Sequence, residues 1–161
     1  MPNNKPLVRD KSNSTAQRRA EEKIRAILQK NLDLVGPLEK RRFEYGRSWM
    51  EVDCFAQHGN EVVLAEINAH FGVMKTATRN KVLKDILKLT LLDPICRAEL
   101  RADRIRKLIV FTNDLAAKFV TGEGWAAEAV ARLQVEPMVI NLTKTEIKAL
   151  QRAQYDQDLR N

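Results

Sequence analysis

The stretch from Trp49 to Lys75, WMEVDCFAQHGNEVVLAEINAHFGVMK, constrains this chain most, because two alternating runs flank a turn-like Gln57-His58-Gly59-Asn60. Alternation with period two on either side of such a turn is the pattern of a β-hairpin. Pairing Ala56 with Glu61 sets Glu51 opposite Glu66 and Asp53 opposite Leu64. One face then receives Met50, Val52, Cys54, Ala56, Val63, Ala65, Ile67 and Ala69, a core face apart from Glu61 beside the turn. The other face collects Glu51, Asp53, Glu66 and Asn68 at one end, and Phe55, Val62 and Leu64 near the turn. Like charges opposite each other on a sheet repel. A hard divalent cation offsets such a cluster, since Mg²⁺ takes one or two protein carboxylates and completes its shell with water and phosphate. A solvated polar face explains the same spacing about equally well.

An Asp on one strand, a hairpin, Glu-x-Lys on the next strand and then a helix is the signature of the PD-(D/E)XK nuclease superfamily, which this sequence resembles. Asp53 matches the metal-binding Asp, and Glu66-Ile67-Asn68 matches the Glu-x-Lys tripeptide, within a likeness running from Pro37 to Asn113. The resemblance implies Mg²⁺ (or Mn²⁺) held by Asp53 and Glu66, with catalysis of phosphodiester hydrolysis in DNA or RNA. Asn68 stands where the family usually has Lys, which orients the attacking water and stabilises charge on phosphate. Some members supply the lysine from the following helix, and Lys75 is the residue expected to do so here. The helix preceding the hairpin often adds an acidic metal ligand. Glu44, with Glu39 as runner-up, fills that place on a short helix expected from Pro37 to Gly46, although a local salt bridge to Arg is the more ordinary role.

The net charge of +7 is concentrated: residues 1–47 carry 12 Lys and Arg against 6 Asp and Glu. A basic segment ahead of an acidic site suits a phosphate-tracking surface. Arg41, Arg42, Arg47 and Arg79 are the expected nucleic-acid contacts, by bidentate guanidinium bonding to phosphate. Residues 1–14 read as a flexible basic arm and 15–161 as one nuclease-like domain. Thr15 to Lys30 is expected to be a helix with an apolar stripe at Ala16, Ala20, Ile24, Ile27 and Leu28, fit to pack on a sheet, a protein partner or a second copy.

Downstream, Thr76 to Leu91 reads as a helix, Pro94 as the start of a new segment that is helical through Arg104, Lys107 to Thr112 as a buried parallel strand, and Met138 to Leu142 as a last strand. Helices are expected from Asn113 or Asp114 and over Trp125–Leu133, and Thr143-Lys144-Thr145-Glu146 is a capping box opening a terminal helix. The expected fold is α/β, a three-layer α/β/α sandwich with a mixed central sheet of about four strands, restriction-endonuclease-like by the resemblance. Cys54 and Cys96 lack metal or disulfide spacing, His58 and His70 lack ligand spacing, and Trp49 and Trp125 are expected in the core. Without a membrane-length apolar run or a signal-peptide core, the expected location is cytoplasmic. The alternatives are a catalytically inactive relative that binds nucleic acid, and a protein-interaction or assembly module.

Overall fold

A computed structural model describes residues 11–158; the expected arm falls mostly outside them, at residues 1–10. Ten elements follow one another in the described residues: helix α1 (Lys11–Asn31), strands β1 (Glu39–Tyr45), β2 (Ser48–His58) and β3 (Glu61–Asn68), helix α2 (Thr76–Leu100), strand β4 (Arg104–Phe111), helices α3 (Asp114–Thr121) and α4 (Trp125–Arg132), strand β5 (Val135–Val139) and helix α5 (Lys144–Asp158). The strands form one mixed sheet in the order β1-β2-β3-β4-β5. β1, β2 and β3 run antiparallel through tight turns, and β3, β4 and β5 run parallel. The parallel steps require crossovers, supplied by α2 and by the α3–α4 pair. The class is α/β as expected, with five strands instead of about four.

Helices cover both faces of the sheet. On one side Ile24 and Leu28 of α1 pack on Cys54, Val63, Ala65, Ile67, Leu108 and Val110. From Ala20 to Leu28 the apolar stripe of α1 is thus engaged within the chain, and α5 packs beside α1. On the other side Val82, Ile86, Leu89, Leu92 and Cys96 of α2 meet Phe43, Val52, Val62, Leu64, Ile109 and Phe111, joined by Ala116, Ala117, Val120 and Val130. Strand β3 is therefore buried over Val62–Asn68 on both faces, the environment of a central parallel strand.

Four expectations change. The segment preceding the hairpin is strand β1 and not a helix, because Tyr45-Gly46-Arg47-Ser48 turns the chain tightly and Phe43 pairs across to Met50. Gly46 takes φ +61°, a conformation open to glycine at little cost. The β2–β3 register lies two residues from the expected one: His58 pairs with Glu61 around Gly59-Asn60, and Cys54 with Ala65. β2 also bulges. Glu39 pairs with Phe55 and Arg41 with Val52, so β2 carries one residue more than β1 over this span. The extra residue reverses the alternation, and Met50 and Val52 pack under α2 while Cys54 stays on the α1 side.

Helix α2 is the fourth case, since it continues through Pro94 to Leu100. An internal proline removes a backbone bond and costs about 3 kcal/mol. Leu89, Leu92 and Cys96, all fully buried, flank Pro94 on the sheet-facing side and hold the helix together across it. Smaller shifts occur elsewhere: α1 begins at Lys11, inside the segment expected as an arm, and β5 precedes the expected strand by three residues. The capping box forms as read, with Thr143 N donating to Glu146 Oε2 at 2.8 Å and Glu146 N to Thr143 Oγ1 at 3.3 Å. Among the described residues, no helix is long and apolar enough to cross a membrane.

Candidate active site at the β2–β3 fork

The bulge in β2 ends its ladder with β3 at Cys54 and Ala65. Beyond that point Asp53 takes over a backbone role: its Oδ2 accepts from the Ile67 amide at 3.1 Å. Asp53 therefore lies beside Glu66 and Ile67 on β3, two residues from the partner first expected. Its Oδ1 is 3.9 Å from Lys40 Nζ, which also lies 3.1 Å from Glu21 Oε2 on α1. Lys40 and Asp53 keep partial solvent access, so this ion pair contributes little to stability by itself.

Glu66 sits one layer deeper, 2% exposed. Even numbering on β3 aims it at α2, where Lys88 Nζ stands 2.7 Å from Glu66 Oε1. The approach is poorly aligned, and Oε1 has no hydrogen-bond donor in line. Lys88 donates instead to the Glu51 carbonyl at 2.9 Å. Burial first, and then the negative charges of Asp53 and Asp85, push the Glu66 carboxyl up to about 8 against the pull of Lys88. A carboxylate this perturbed, flanked by two others, is the kind of group that chemistry uses.

Asp85, itself buried on α2, ties the cluster together. Its Oδ2 accepts from Lys81 at 2.9 Å and lies 3.5 Å from Asn68 Nδ2, and its Oδ1 is 3.6 Å from Lys88. Burial works against the Lys81 ammonium, but the adjoining Asp85 outweighs it and holds Lys81 above its ordinary value. The buried set on the α2 side is thus Glu66, Asn68, Asp85 and Lys88, with Lys81 at its rim. Asp53, Lys40 and Glu21 form the more open edge. Among the described residues, no three His, Cys, Asp or Glu side chains converge as a ready metal group.

Of the residues singled out from sequence, Asp53, Glu66 and Asn68 come together here. Lys75 is the N-cap of α2, ten residues before Asp85 and about 15 Å from it along the helix. Lys88 is the α2 lysine that stands against Glu66. Glu44 pairs with Trp49 near the β1–β2 turn, four residues along β2 from Asp53 or about 13 Å at strand rise. The acidic residue that the preceding helix does bring near Asp53 is Glu21. Glu39 is exposed at the start of β1.

The arginines divide. Arg41 lies over Phe55 at 4.2 Å and Phe43 at 5.1 Å, Arg42 over Trp49 at 4.2 Å with its Nε on Glu51 at 2.9 Å, and Arg79 over Phe119 at 5.5 Å. Arg47 is exposed in the β1–β2 turn. Both tryptophans are exposed and not core. Cys54 and Cys96 are buried thiols, raised by that burial and so unreactive, Cys96 to about 11. The sequence did carry a signal for the missed residues: Asp85 interrupts the apolar stripe Val82, Ile86, Leu89, and Lys81 and Lys88 flank it at helical spacing.

No family model matches the chain, and no curated protein or solved structure is significantly similar to it.

Proposed function

We propose that the chain is a metal-dependent nuclease-like protein that hydrolyses phosphodiester bonds in DNA or RNA, with a restriction-endonuclease-like core. The observation that carries this reading is the meeting of Asp53, Glu66 and Lys88 where β2 and β3 separate. The order helix, antiparallel strands, crossover helix and parallel strand accords with it. Mg²⁺ or Mn²⁺ fits the donor chemistry, since Asp53 and Glu66 offer hard carboxylate oxygens, and the buried Glu66 Oε1 has no aligned donor. Asp53 and Glu66 would hold the ion, with Glu21 nearby through Lys40. When bound, the metal supplies Lewis acidity toward phosphate and lowers the pKa of water.

The protein's own groups do the rest. Lys88 places a positive charge against Glu66 from a largely buried position, where a fixed charge acts more strongly than in water. It takes the electrostatic part that Asn68 cannot play. Asn68, buried and near Asp85, orients without adding charge. Lys40 and Asp53 face solvent and would meet a phosphate first.

A second reading has its own support: Lys88 on Glu66 and Lys40 by Asp53 already offset both carboxylates, as suits a relative that binds nucleic acid without cutting it. A cleavage assay on mixed single- and double-stranded substrates separates the two. Mg²⁺-dependent cutting that is lost in Glu66→Gln supports the nuclease. Affinity with no cutting under Mg²⁺ or Mn²⁺ supports the inactive relative.

A further inference from the structure

Asp85 is the one charged side chain among the buried residues of α2, 6% exposed, and its buried neighbours Val82, Ile86 and Leu89 are all apolar. Those three already seat this part of the helix on the sheet. Packing gives no reason for a carboxylate among them, since a buried charge is costly and an apolar residue of similar size serves stability as well or better. The contacts of Asp85 show what it holds. Its Oδ2 accepts from Lys81 Nζ at 2.9 Å and lies 3.5 Å from Asn68 Nδ2, so the carboxylate is fixed both from one turn back along α2 and from the end of β3. Its Oδ1 is left toward Lys88 Nζ at 3.6 Å, three residues further along the helix, a spacing at which helical side chains meet.

Lys88 needs such an anchor. It stands 2.7 Å from Glu66 Oε1 without alignment, and it donates to the Glu51 carbonyl at 2.9 Å. A lysine is a point charge on a flexible four-carbon stem. Once Asp53 and Glu66 are engaged by a cation, Glu66 no longer attracts the ammonium, whose side chain is already 22% exposed and free to turn toward water. Two partners do not depend on Glu66, the neutral Glu51 carbonyl and the Asp85 carboxylate, and Asp85 is the one that holds by charge. We infer that Asp85 is a positioning residue, which keeps the Lys88 ammonium at the site when Glu66 is otherwise engaged, so that its charge stays directed at the phosphate. The inference rests on the nuclease reading above and adds the residue that keeps the lysine of that site in place. Asp85 itself touches neither metal nor substrate in this role.

The test is a double-mutant cycle in the full chain: wild type, Asp85→Asn, Lys88→Ala and the two combined. Each is assayed for single-turnover cleavage with Mg²⁺ and, in metal-free buffer, for acetylation of individual lysines by acetic anhydride, read by peptide mass spectrometry. Asp85→Asn is expected to slow cleavage about 10- to 100-fold, with nucleic-acid affinity close to that of wild type because the loss lies in the transition state. On Lys88→Ala the same substitution slows cleavage no further, since a residue that acts through Lys88 has nothing left to hold. Without metal, Asp85→Asn lets the reagent reach Lys88 several-fold faster, while Lys107, buried against Asp93 further along α2, keeps its wild-type protection. Asp85→Glu, which returns the charge on a longer stem, recovers part of both effects. Three results overturn the inference: a rate loss that repeats in full on Lys88→Ala, unchanged acetylation of Lys88, or Lys107 losing protection together with Lys88, which makes Asp85 a structural link alone. All three leave the nuclease reading standing, whereas a wild type that cuts no substrate overturns that reading and the positioning role with it.

Discussion

Replacing Glu66 by Gln keeps the shape of the side chain and removes its ionisation, and so isolates the effect of a carboxyl group held at about 8 inside the fold. In the unfolded chain the same group titrates near 4.5. Between those values the folded protein binds the proton that the unfolded chain has released, so this group makes stability fall as pH rises. For one site with these two values, the loss between pH 6 and pH 8 is about 2 kcal/mol. In a chain of this length that corresponds to roughly 4–8 °C in Tm. Thermal melts in metal-free buffer with chelator, at half-unit steps from pH 5.5 to 8.5, should show the wild-type Tm falling relative to that of Glu66→Gln by this amount. Parallel curves for the two proteins would refute the reasoning, because they would mean that Glu66 is already ionised at pH 6. Lys88→Met sharpens the comparison, since removing the cation 2.7 Å from Oε1 moves the Glu66 transition to still higher pH.

Lys88→Ala should lower cleavage at least a hundredfold while nucleic-acid affinity stays within a few-fold, whereas Lys75→Ala should leave cleavage within threefold. Single-turnover rates on one substrate test both. Asp93 links α2 to β4 through Lys107 Nζ at 2.9 Å, with Lys107 buried, and binds Arg97 Nε at 2.8 Å. Asp93→Ala should cost about 3–5 kcal/mol in urea denaturation by stranding that lysine, and Asp93→Ala/Lys107→Met should recover most of the loss. Although burial works the other way, bonds to Lys107 and Arg97 hold the Asp93 carboxyl below 3.8, so its contribution is present above that pH and is lost on acidification through the lowered value. Pro94→Ala should stabilise the protein by about 1–2 kcal/mol, because it restores a helical bond and gives up only a smaller gain from restricting the unfolded chain.

Much of this architecture could be read along the chain, where one periodicity dominated. The β2–β3 hairpin, the buried strand Arg104–Phe111 parallel to β3 and the Thr143–Glu146 box each carry a local pattern that tertiary contacts reinforce. Strand β1 carries no such pattern. In Glu39-Lys40-Arg41-Arg42-Phe43-Glu44-Tyr45 the few apolar residues suit a helix as well as a strand, and pairing with β2 decides. The bulge left no mark either, because an extra residue in a ladder is a property of two strands and not of one. It nevertheless decides the site: it puts Met50 and Val52 under α2 and frees Asp53 to bond the Ile67 amide. Asp53 and Glu66 were legible from their spacing. Lys88, Asp85 and Glu21 came from helices whose rotation against the sheet only packing fixes. Lys75 is the nearer lysine in sequence, whereas the lysine that stands against Glu66 comes from further along α2.

The central claim is that Asp53 and Glu66 form a divalent-cation site, and calorimetry of Mn²⁺ binding tests it most directly, at pH 6.5 and 8.5 in two buffers of different ionisation enthalpy. The wild type should bind with a proton released to the buffer at pH 6.5, fewer protons released at pH 8.5 and tighter apparent affinity at the higher pH, as a carboxyl group titrating near 8 requires. Glu66→Gln and Asp53→Ala should each abolish the heat. Binding that persists unchanged in both variants, or no binding by the wild type at either pH, would contradict the account and leave the cluster as an ion-paired link between the sheet and α2.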